Sequence, residues 1–235
     1  MAERRVLLVT GSSRGIGRHL ATHYVDRGFK VIGCSRSVIE PIADPNYSHL
    51  VADITVESDV IQLFQDIRAR FGGLDVALNN AGINPAISLS LLTSCRAASH
   101  TLMTNVMGTF LISREAAKLM MRKNSGRIIN FSSMAVRHEV PGEAIYSASK
   151  AAVQTLTRVM AKELYQYGIT CNAIAPSAVE TDMLKPIPRK ALEEILTRNA
   201  IPHLGKMQDI SDATDWLIRP ESQAITGQVI FLGGA

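Results

Sequence analysis

Tyr146 and Lys150 stand four residues apart in a stretch whose pattern indicates a helix. At this spacing two side chains share one helix face and can reach one ligand. The ordinary pKa of tyrosine is about 10, and a neighbouring ammonium lowers it, so the pair can act as a general acid or base. The hydroxyl of Ser133 could hold a carbonyl oxygen beside the tyrosine. The pair alone is also compatible with an ordinary surface helix, so it needs support from the rest of the chain.

A glycine loop near the start of the chain suits a phosphate. The apolar run R-V-L-L-V-T leads into Gly11, Gly15 and Gly17, and an amphipathic stretch follows. Strand, glycine turn and helix in this order present backbone N–H groups at a helix N-terminus to an anion. The spacing Gly-x-x-x-Gly-x-Gly differs from the commonest dinucleotide fingerprint. A purely structural turn therefore stays open, although the flanking elements favour a cofactor site.

The end of the second predicted strand indicates which dinucleotide this site prefers. Dinucleotide sites usually place an acidic residue there to hold the ribose hydroxyls, but this chain has Ser35 and Arg36. A guanidinium can bond a 2′-phosphate that a carboxylate would repel, and Arg14 in the glycine loop is a second candidate. We therefore expect NADP(H) rather than NAD(H), with two solvated surface arginines as the alternative.

Composition excludes several other classes of protein. The 235 residues are 46% hydrophobic and 20% charged with a formal charge of +4, which is typical of a globular protein. No basic run interleaved with aromatics indicates nucleic-acid binding, and no apolar run is long enough for a signal peptide or membrane span. Cys34, Cys95 and Cys171 show neither disulfide nor metal spacing. We therefore expect a cytoplasmic protein with reduced cysteines and no metal, nucleic-acid or membrane partner.

Strand and helix patterns alternate along the whole chain, which predicts one α/β domain over residues 1–235 with a doubly wound parallel sheet. Residues 38–48 carry two prolines and predict a loop rather than a crossover helix. The predicted strands are Arg5–Thr10, Lys30–Ser35, Tyr47–Ala52, Leu74–Leu78, Arg127–Phe131, Ile169–Ala175 and Gln228–Leu232. The predicted helices are Arg18–Gly28, Glu57–Phe71, Ser99–Lys123, Ala144–Tyr167, Arg189–Arg198 and a last one capped by Ser211 and running through Ile218.

Four separated motifs carry a family resemblance. They are T-G-S-S-R-G-I-G at 10–17, N-N-A-G at 79–82, Ser133 followed by Tyr146-x-x-x-Lys150, and N-A-I-A-P at 172–176. Together they resemble the classical short-chain dehydrogenases/reductases over essentially the whole chain. The resemblance implies a seven-stranded, Rossmann-type parallel sheet in the order 3-2-1-4-5-6-7, a nicotinamide cofactor across the strand C-termini, and a homotetramer.

The resemblance also implies catalytic roles. Ser133 would orient the substrate oxygen, and Tyr146 would give its proton to that oxygen during reduction. Lys150 would lower the pKa of Tyr146 and bind the nicotinamide ribose, while Asn105 would hold a water in the proton relay. Ser132 is the natural competitor of Ser133, and a helix-surface amide is the alternative for Asn105.

The remaining implied contacts all concern the cofactor. In chain order they are the pyrophosphate loop Gly11, Ser13, Arg14, Gly15, Ile16 and Gly17, then Arg36, then Asp53 and Ile54 at the adenine, then Asn80, Ala81 and Gly82 on the adenosine side, and finally Pro176, Val179 and Thr181 at the nicotinamide. Tyr146 and Lys150 belong to this set as well. Ordinary turn chemistry is the alternative for Asp53 and the Asn80 region.

Within the family, stretches such as G-R-I-I-N-F-S-S and Y-S-A-S-K-A-A are most similar to 3-oxoacyl-[acyl-carrier-protein] reductases. Tyr167 and Asn124 stand where those enzymes often carry basic docking residues, although Arg122, Lys123 and Arg127 are close in sequence. We therefore expect NADPH-dependent reduction of a 3-oxoacyl thioester, carried on acyl carrier protein or coenzyme A. The alternatives are a free small ketone, alcohol or sugar, or a non-catalytic cofactor-binding regulator. A substrate insert at about 177–208 and residues 83–99 would set the choice of substrate.

Overall fold

The strands of this protein form a single parallel sheet. The computed structural model describes residues 5–84, 87–181, 184 and 189–234. Seven strands pair in the order β3-β2-β1-β4-β5-β6-β7, and every pair is parallel. This confirms the predicted fold class and strand order. The order reverses between β1 and β4, which is where open α/β sheets bind ligands at the strand C-termini.

Five of the seven strands lie in the interior, so their sequences are nearly continuous apolar runs. Along β1, alternate residues serve opposite sides: Val6 and Leu8 pack into one core and Leu7 and Val9 into the other. The strands are β1 Val6–Thr10, β2 Lys30–Ser35, β3 Tyr47–Val51, β4 Val76–Asn79, β5 Gly126–Phe131, β6 Ile169–Ala175 and β7 Val229–Phe231.

Helices cover both faces of the sheet. One core contains side chains of α2, α4 and α6, and the other contains side chains of α1 and α8. The helices are α1 Gly15–Asp26, α2 Glu57–Phe71, α3 Cys95–Leu102, α4 Gly108–Met120, α5 Ala135–His138, α6 Ala144–Leu164, α7 Arg189–Leu196 and α8 Met207–Ile218. Residues 38–48 contain no helix, as predicted.

The predicted long helix over Ser99–Lys123 is different in detail. Helical structure begins four residues earlier, at Cys95, where the Ser94 hydroxyl caps it by accepting a bond from Ala97 N at 3.2 Å. A π-helical segment, Met103–Met107, then separates α3 from α4. Because one turn of a π-helix holds an extra residue, the segment changes the direction in which the following side chains face. Sequence periodicity does not reveal such a turn.

The predicted cap of the last helix is wrong. Helix α8 begins at Met207, and the Asp209 carboxylate accepts a 2.8 Å bond from Lys206 N. Ser211 lies inside the helix, where its hydroxyl bonds Met207 O and the ring of His19. An acidic residue in the first turn satisfies the free N–H groups better than a serine one turn later, so the helix starts earlier than predicted.

The predicted substrate insert at 177–208 falls partly outside the described residues. Residues 182–183 and 185–188 lie outside the described residues, whereas Val179 pairs with Gly205 in an isolated parallel bridge. Helix α7 falls within the insert. Among the described residues, no helix is long and apolar enough to cross a membrane.

The three cysteines differ in their surroundings. Cys34 and Cys171 are buried in the sheet, and burial raises the pKa of each thiol to about 12. Cys95 is exposed at the start of α3. No disulfide links them, so all three are free thiols.

Candidate active site

Tyr146 and Lys150 lie on one face of α6, as their spacing predicts. The Lys150 ammonium lies 5.9 Å from the centroid of the Tyr146 ring. It also donates a 2.8 Å hydrogen bond to the carbonyl oxygen of Phe131, the last residue of β5. This bond fixes the helix against the carboxyl end of β5, where the two side chains line a cleft.

Ser133 and its competitor Ser132 occupy different environments. Ser132 is buried, and its hydroxyl donates to Lys150 O at 3.1 Å and accepts from Gln154 at 2.9 Å. It therefore fastens β5 to α6. Both serines line the cleft, but Ser133 is the one whose hydroxyl interacts with Tyr146, and it also accepts from Ala135 N at 3.1 Å. These contacts favour Ser133 over Ser132 as the serine that meets a ligand.

Burial dominates the ionisation of the pair. It raises the pKa of Tyr146 to about 12; the bond with Ser133 opposes this rise, and the charge of Glu143 adds to it. Burial also lowers the pKa of Lys150 to about 8. The phenol is therefore protonated at neutral pH, which is the state a proton donor needs.

Asn105 lies in the π-helical segment rather than on a helix surface. It is fully buried, and its amide both donates to Ile83 O at 2.9 Å and accepts from Ile83 N at 2.8 Å. It also donates to Ser149 on α6 at 3.0 Å. A Cβ placed on Gly82 would lie 3.2 Å from Lys150 Nζ and 3.3 Å from Asn105 Oδ1, so the three residues converge. Asn105 itself does not line the cleft; it ties the loop after β4 to α6.

The glycine loop lies at the carboxyl end of β1 and leads into α1. Gly11 has φ +71°, and a Cβ there would lie 2.9 Å from Ala81 Cα, so only glycine fits. Ser13, Arg14, Gly15 and Ile16 line a second cleft together with Gly11. The first turn of α1 holds no acidic residue, and the N-cap residue Arg14 makes no side-chain cap. The helix N-terminus is therefore suited to an anion.

Gly17 is the member of the predicted loop that does not line this cleft. It is buried, and a Cβ there would overlap the carbonyl oxygen of Gly11 and approach the Asn80 amide at 2.5 Å. Its place is beneath the loop, where it allows α1 to pack closely against the turn. Its small size therefore serves the shape of the loop rather than direct contact with a ligand.

Arg36 lies at the rim of the second cleft, exposed, immediately after β2. Beside it, Ser35 Oγ donates to Ser37 O at 2.9 Å and bonds the His49 ring at 3.1 Å. Arg14 lines the same cleft, so two arginines border it. No carboxylate occupies the residue after β2.

The residues predicted to lie at the adenine are on the second cleft. Asp53 and Ile54 line the second cleft, and Asp53 Oδ1 accepts from both N and Oγ1 of Thr55, at 2.9 and 2.7 Å. Ile54 packs against Gly108 of α4. The Asp53 carboxylate thus stabilises a turn and also lines the cleft. The turn role therefore does not exclude the predicted contact with the adenine.

The N-N-A-G motif ties this side of the cleft to the glycine loop. Asn80 Nδ2 donates to Thr10 O at 3.0 Å, and Ala81 N donates to Thr10 Oγ1 at 3.1 Å. Asn80, Ala81 and Gly82 all line the second cleft. The motif therefore supports the loop and borders the space that the loop encloses.

The two clefts are continuous. Ile16, Asn80, Gly82 and Thr181 line both of them. Pro176 and Val179 line the catalytic side, while Thr181 Cγ2 lies 3.6 Å from a Cβ placed on Gly15. The segment after β6 therefore covers the passage between the glycine loop and Tyr146. Within the described part of the chain, no cluster of His, Cys, Asp or Glu is arranged to hold a metal.

The sequence interpretation missed several cleft residues. His100 and Thr104, one helical turn apart before Asn105, line the glycine-loop side. Their spacing of four residues from one another, which places them on one helix face, is the signal that could have indicated them. Asn84, His138 and Glu143 line the catalytic side. Glu143 precedes Tyr146 by three residues, so the helix period offered a similar signal.

Comparison with known proteins agrees with this geometry. A family model described as short chain dehydrogenase matches residues 5–192. The chain belongs to the short-chain dehydrogenase family. A short-chain type dehydrogenase/reductase of Picea abies is 36% identical, and the match covers 98% of this chain and 91% of the relative. The 3-oxoacyl-[acyl-carrier-protein] reductases FabG of Vibrio cholerae and Escherichia coli are 35% and 33% identical, each match covering 99% of this chain and 97% of the relative.

Solved structures of the short-chain dehydrogenase fold superpose closely. ElxO with NADP bound matches with a TM-score of 0.88 and 28% identity, over 97% of this chain and 97% of ElxO. A variant of actinorhodin polyketide ketoreductase with NADPH matches with a TM-score of 0.88 and 26% identity, over 100% of this chain and 97% of that protein. Both similarities extend over essentially the full length of the fold.

Proposed function

We propose that this short-chain dehydrogenase is an NADPH-dependent reductase of a carbonyl group. The observation that carries the proposal is the convergence of Ser133, Tyr146 and Lys150 in a cleft that continues into the glycine loop. A non-catalytic cofactor-binding regulator would have no need of a protonated phenol hydrogen-bonded to a cleft-facing serine. The alternative of a regulator is therefore the weaker one.

The glycine-loop cleft fits a phosphorylated dinucleotide. Gly11 leaves room for close approach to the backbone, and the N-terminus of α1 carries no competing carboxylate. Arg14 and Arg36 supply guanidiniums beside Ser35, where a 2′-phosphate of the adenine ribose would be held. These features favour NADP(H), and the two solved structures above contain NADP or NADPH.

The chain's own residues account for the proton and the orientation of the substrate. When bound, NADPH supplies the hydride that the carbonyl carbon receives. Ser133 donates a hydrogen bond to the carbonyl oxygen and holds it beside Tyr146. Tyr146 gives its phenolic proton to that oxygen as the C–O bond becomes single. Lys150, anchored to Phe131 O, stabilises the phenolate that remains and returns a proton to it.

The relatives support 3-oxoacyl thioesters as the first substrate class. The FabG proteins are 3-oxoacyl-[acyl-carrier-protein] reductases by name, and they match nearly the whole chain. The actinorhodin relative is named as a polyketide ketoreductase. A 3-oxoacyl chain on acyl carrier protein or coenzyme A, reduced to the 3-hydroxyacyl thioester in fatty-acid or polyketide-type synthesis, is therefore the leading specific proposal.

A second substrate class, a free polar ketone or sugar, is favoured by the surface near Asn124. Arg127 is buried, with its guanidinium donating to Gly126 O at 2.9 Å, and Lys123 is paired with Asp75. Neither side chain replaces the basic docking residues that are absent at Asn124 and Tyr167. The third basic residue that the sequence places near Asn124 is Arg122. Its side chain forms no hydrogen bond or ion pair with the described residues.

The test is the loss of NADPH absorbance with acetoacetyl-coenzyme A, with a 3-oxoacyl chain on acyl carrier protein, and with a panel of free ketones, each repeated with NADH. Preference for the carrier-linked chain supports the first class, and turnover of free ketones alone supports the second. Tight NADPH binding without turnover of any carbonyl would leave a cofactor-binding regulator.

We also propose a homotetramer built through the helices around Asn105 and through α6. Apolar side chains are exposed on both, namely Leu102, Met103, Met107, Val159 and Tyr165. An exposed apolar patch on a folded protein usually marks a surface that is buried against another protein. Light scattering that gives the mass of one 25.5 kDa chain would contradict this proposal.

A further inference from the structure

A buried carboxylate stands beside the proposed proton donor. Glu143 is 7% exposed and lines the cleft with Ser133 and Tyr146. It is the residue before α6, yet its side chain does not cap that helix. The carboxylate is therefore not used to satisfy the helix N-terminus, which is the ordinary structural role of an acidic residue at this place.

One amide is the partner that the structure gives this carboxylate. Asn84 Nδ2 donates to Glu143 Oε1 at 2.9 Å, and Asn84 lines the same cleft. Among the described residues, Glu143 forms no ion pair with a cation. The nearby Lys150 ammonium is committed to Phe131 O, and the His138 ring bonds Asn199 at 2.8 Å.

A carboxylate held this way is under-paired. Removing an ionised carboxylate from water is costly unless hydrogen bonds or a cation replace the lost hydration. An ionised carboxylate can accept several hydrogen bonds, and a single amide supplies one of them. A ligand in the cleft that brings a donor would complete the set.

One part of the catalytic cleft has no group that could bind such a donor. Its lining there is apolar and consists of Met134, Leu184, Leu192 and Ile195. An apolar surface accepts carbon atoms but cannot satisfy a hydroxyl or an ammonium. The polar corner formed by Glu143 and Asn84, next to Tyr146, is thus distinct from the apolar lining.

We propose that Glu143 and Asn84 form a specificity site that takes a hydrogen-bond donor, a hydroxyl or an ammonium, carried on the substrate close to the reacting carbonyl. The inference rests on the proposed carbonyl reduction and favours its second substrate class, the free polar ketone, over the 3-oxoacyl thioester. An anionic group at the same position meets repulsion, and a plain acyl chain leaves the carboxylate unsatisfied. Donor-bearing ketones are therefore preferred over simple ones.

Three ketones on one six-membered ring test this preference: cyclohexanone, its α-hydroxy derivative and piperidin-4-one, whose ring nitrogen is protonated at neutral pH. We expect kcat/KM for the two donor-bearing ketones to exceed that of cyclohexanone by roughly 10- to 100-fold, the range for hydrogen bonds to a charged group. Glu143→Gln keeps the size of the side chain and removes its charge. It should remove most of this advantage, more for the ammonium than for the hydroxyl, when kcat/KM for each donor-bearing ketone is divided by that of cyclohexanone with the same variant.

Glu139→Gln is the matched control, because Glu139 is an exposed acid four residues earlier that does not line the cleft. It should leave all three rates unchanged. An equal loss on all three ketones in Glu143→Gln, with a shifted pH profile, would overturn the proposal, since Glu143 would then act on Tyr146 rather than on the substrate. Equal wild-type rates on all three would overturn it as well.

A binding measurement separates this proposal from the proposed function. In the Tyr146→Phe background, titration of the NADPH complex with each ketone reports affinity without turnover. Weaker binding of the donor-bearing ketones after Glu143→Gln supports the specificity site even if no ketone is reduced by the wild type. Affinities that do not change with Glu143→Gln refute the site, whether or not the protein proves to be a reductase.

Discussion

The ammonium of Lys150 is anchored 2.8 Å from the carbonyl oxygen of Phe131, at the end of the interior strand β5. The bond joins α6 to the strand that precedes Ser133, so Ser133, Tyr146 and Lys150 share one rigid support. Burial lowers the pKa of Lys150 to about 8, so its charge changes within a pH range that is open to experiment.

Lys150 predicts a pH-dependent contribution to stability. Its folded pKa lies below the unfolded value of 10.5, so the unfolded chain binds the extra proton between about pH 8 and 10.5. The penalty of the buried ammonium is complete below pH 8 and disappears as pH rises to 10.5. The free energy of unfolding of the wild type should therefore gain up to about 3 kcal/mol relative to Lys150→Met across this window.

Urea denaturation at several pH values measures that difference. The raised thiol pKa values of Cys34 and Cys171 make stability fall above pH 9, but they act in both proteins and cancel. Lys162→Met, on an exposed position of the same helix, is the control and should show a flat difference. A flat difference for Lys150→Met as well would contradict the lowered pKa.

Tyr146→Phe should abolish proton donation and leave the cofactor site intact. Loss of a positioned general acid costs roughly 10²- to 10⁴-fold in rate. The dissociation constant of NADPH, followed by fluorescence, should change by less than about threefold. Tyr165→Phe removes an exposed hydroxyl just beyond α6 and should keep full activity. An unaltered rate in Tyr146→Phe would exclude the tyrosine as proton donor.

Arg36→Ala should weaken NADPH binding selectively. A charge-assisted bond to a phosphate is worth about 1.5–3 kcal/mol, so we expect roughly a 10- to 100-fold rise in the NADPH dissociation constant. NADH lacks the 2′-phosphate, and its affinity should stay within about threefold. Arg70→Ala, an exposed arginine on α2 away from the clefts, supplies the control. Equal losses for both cofactors would argue against a 2′-phosphate contact.

Gly17→Ala should destabilise the protein and distort the glycine loop. The added Cβ overlaps the carbonyl oxygen of Gly11, and overpacking of this kind typically costs about 1–3 kcal/mol. At Gly73 the nearest atom to an added Cβ is the flexible end of Lys123 at 4.0 Å. Gly73→Ala should therefore stay within about 0.5 kcal/mol. Chemical denaturation compares the two, and an equally stable Gly17→Ala would disprove the close packing.

Much of the fold could be predicted from the sequence, because the apolar runs and the glycines and prolines between them indicate the same boundaries of helices and strands. The boundaries of β2, α2 and β6 coincide with their predictions, at Lys30–Ser35, Glu57–Phe71 and Ile169–Ala175. In α2 the helix period ends at Gly72, which adopts the left-handed conformation that glycine favours. Strands β2 and β6 are buried on both faces, so each appears in the sequence as a continuous apolar run whose ends are easy to locate.

Other features depend on tertiary contacts that no periodicity expresses. The π-helical turn around Asn105 accompanies its bonds to Ile83 and Ser149, which are distant in sequence. The predicted cofactor residues line the two clefts apart from Gly17, because motif spacing fixes the loop but not which residue lies beneath it. Glu143 was overlooked because acidic residues ordinarily face solvent before a helix.

The contrast among the three cysteines gives the protein an intrinsic attachment point for a spectroscopic probe. Cys34 and Cys171 are shielded within the sheet, while Cys95 is exposed. A maleimide dye should therefore attach at Cys95 in the native protein without any mutation. Cys95 begins α3, the helix that carries His100 to the glycine-loop cleft. Fluorescence from that one dye would follow nucleotide arrival and departure in real time.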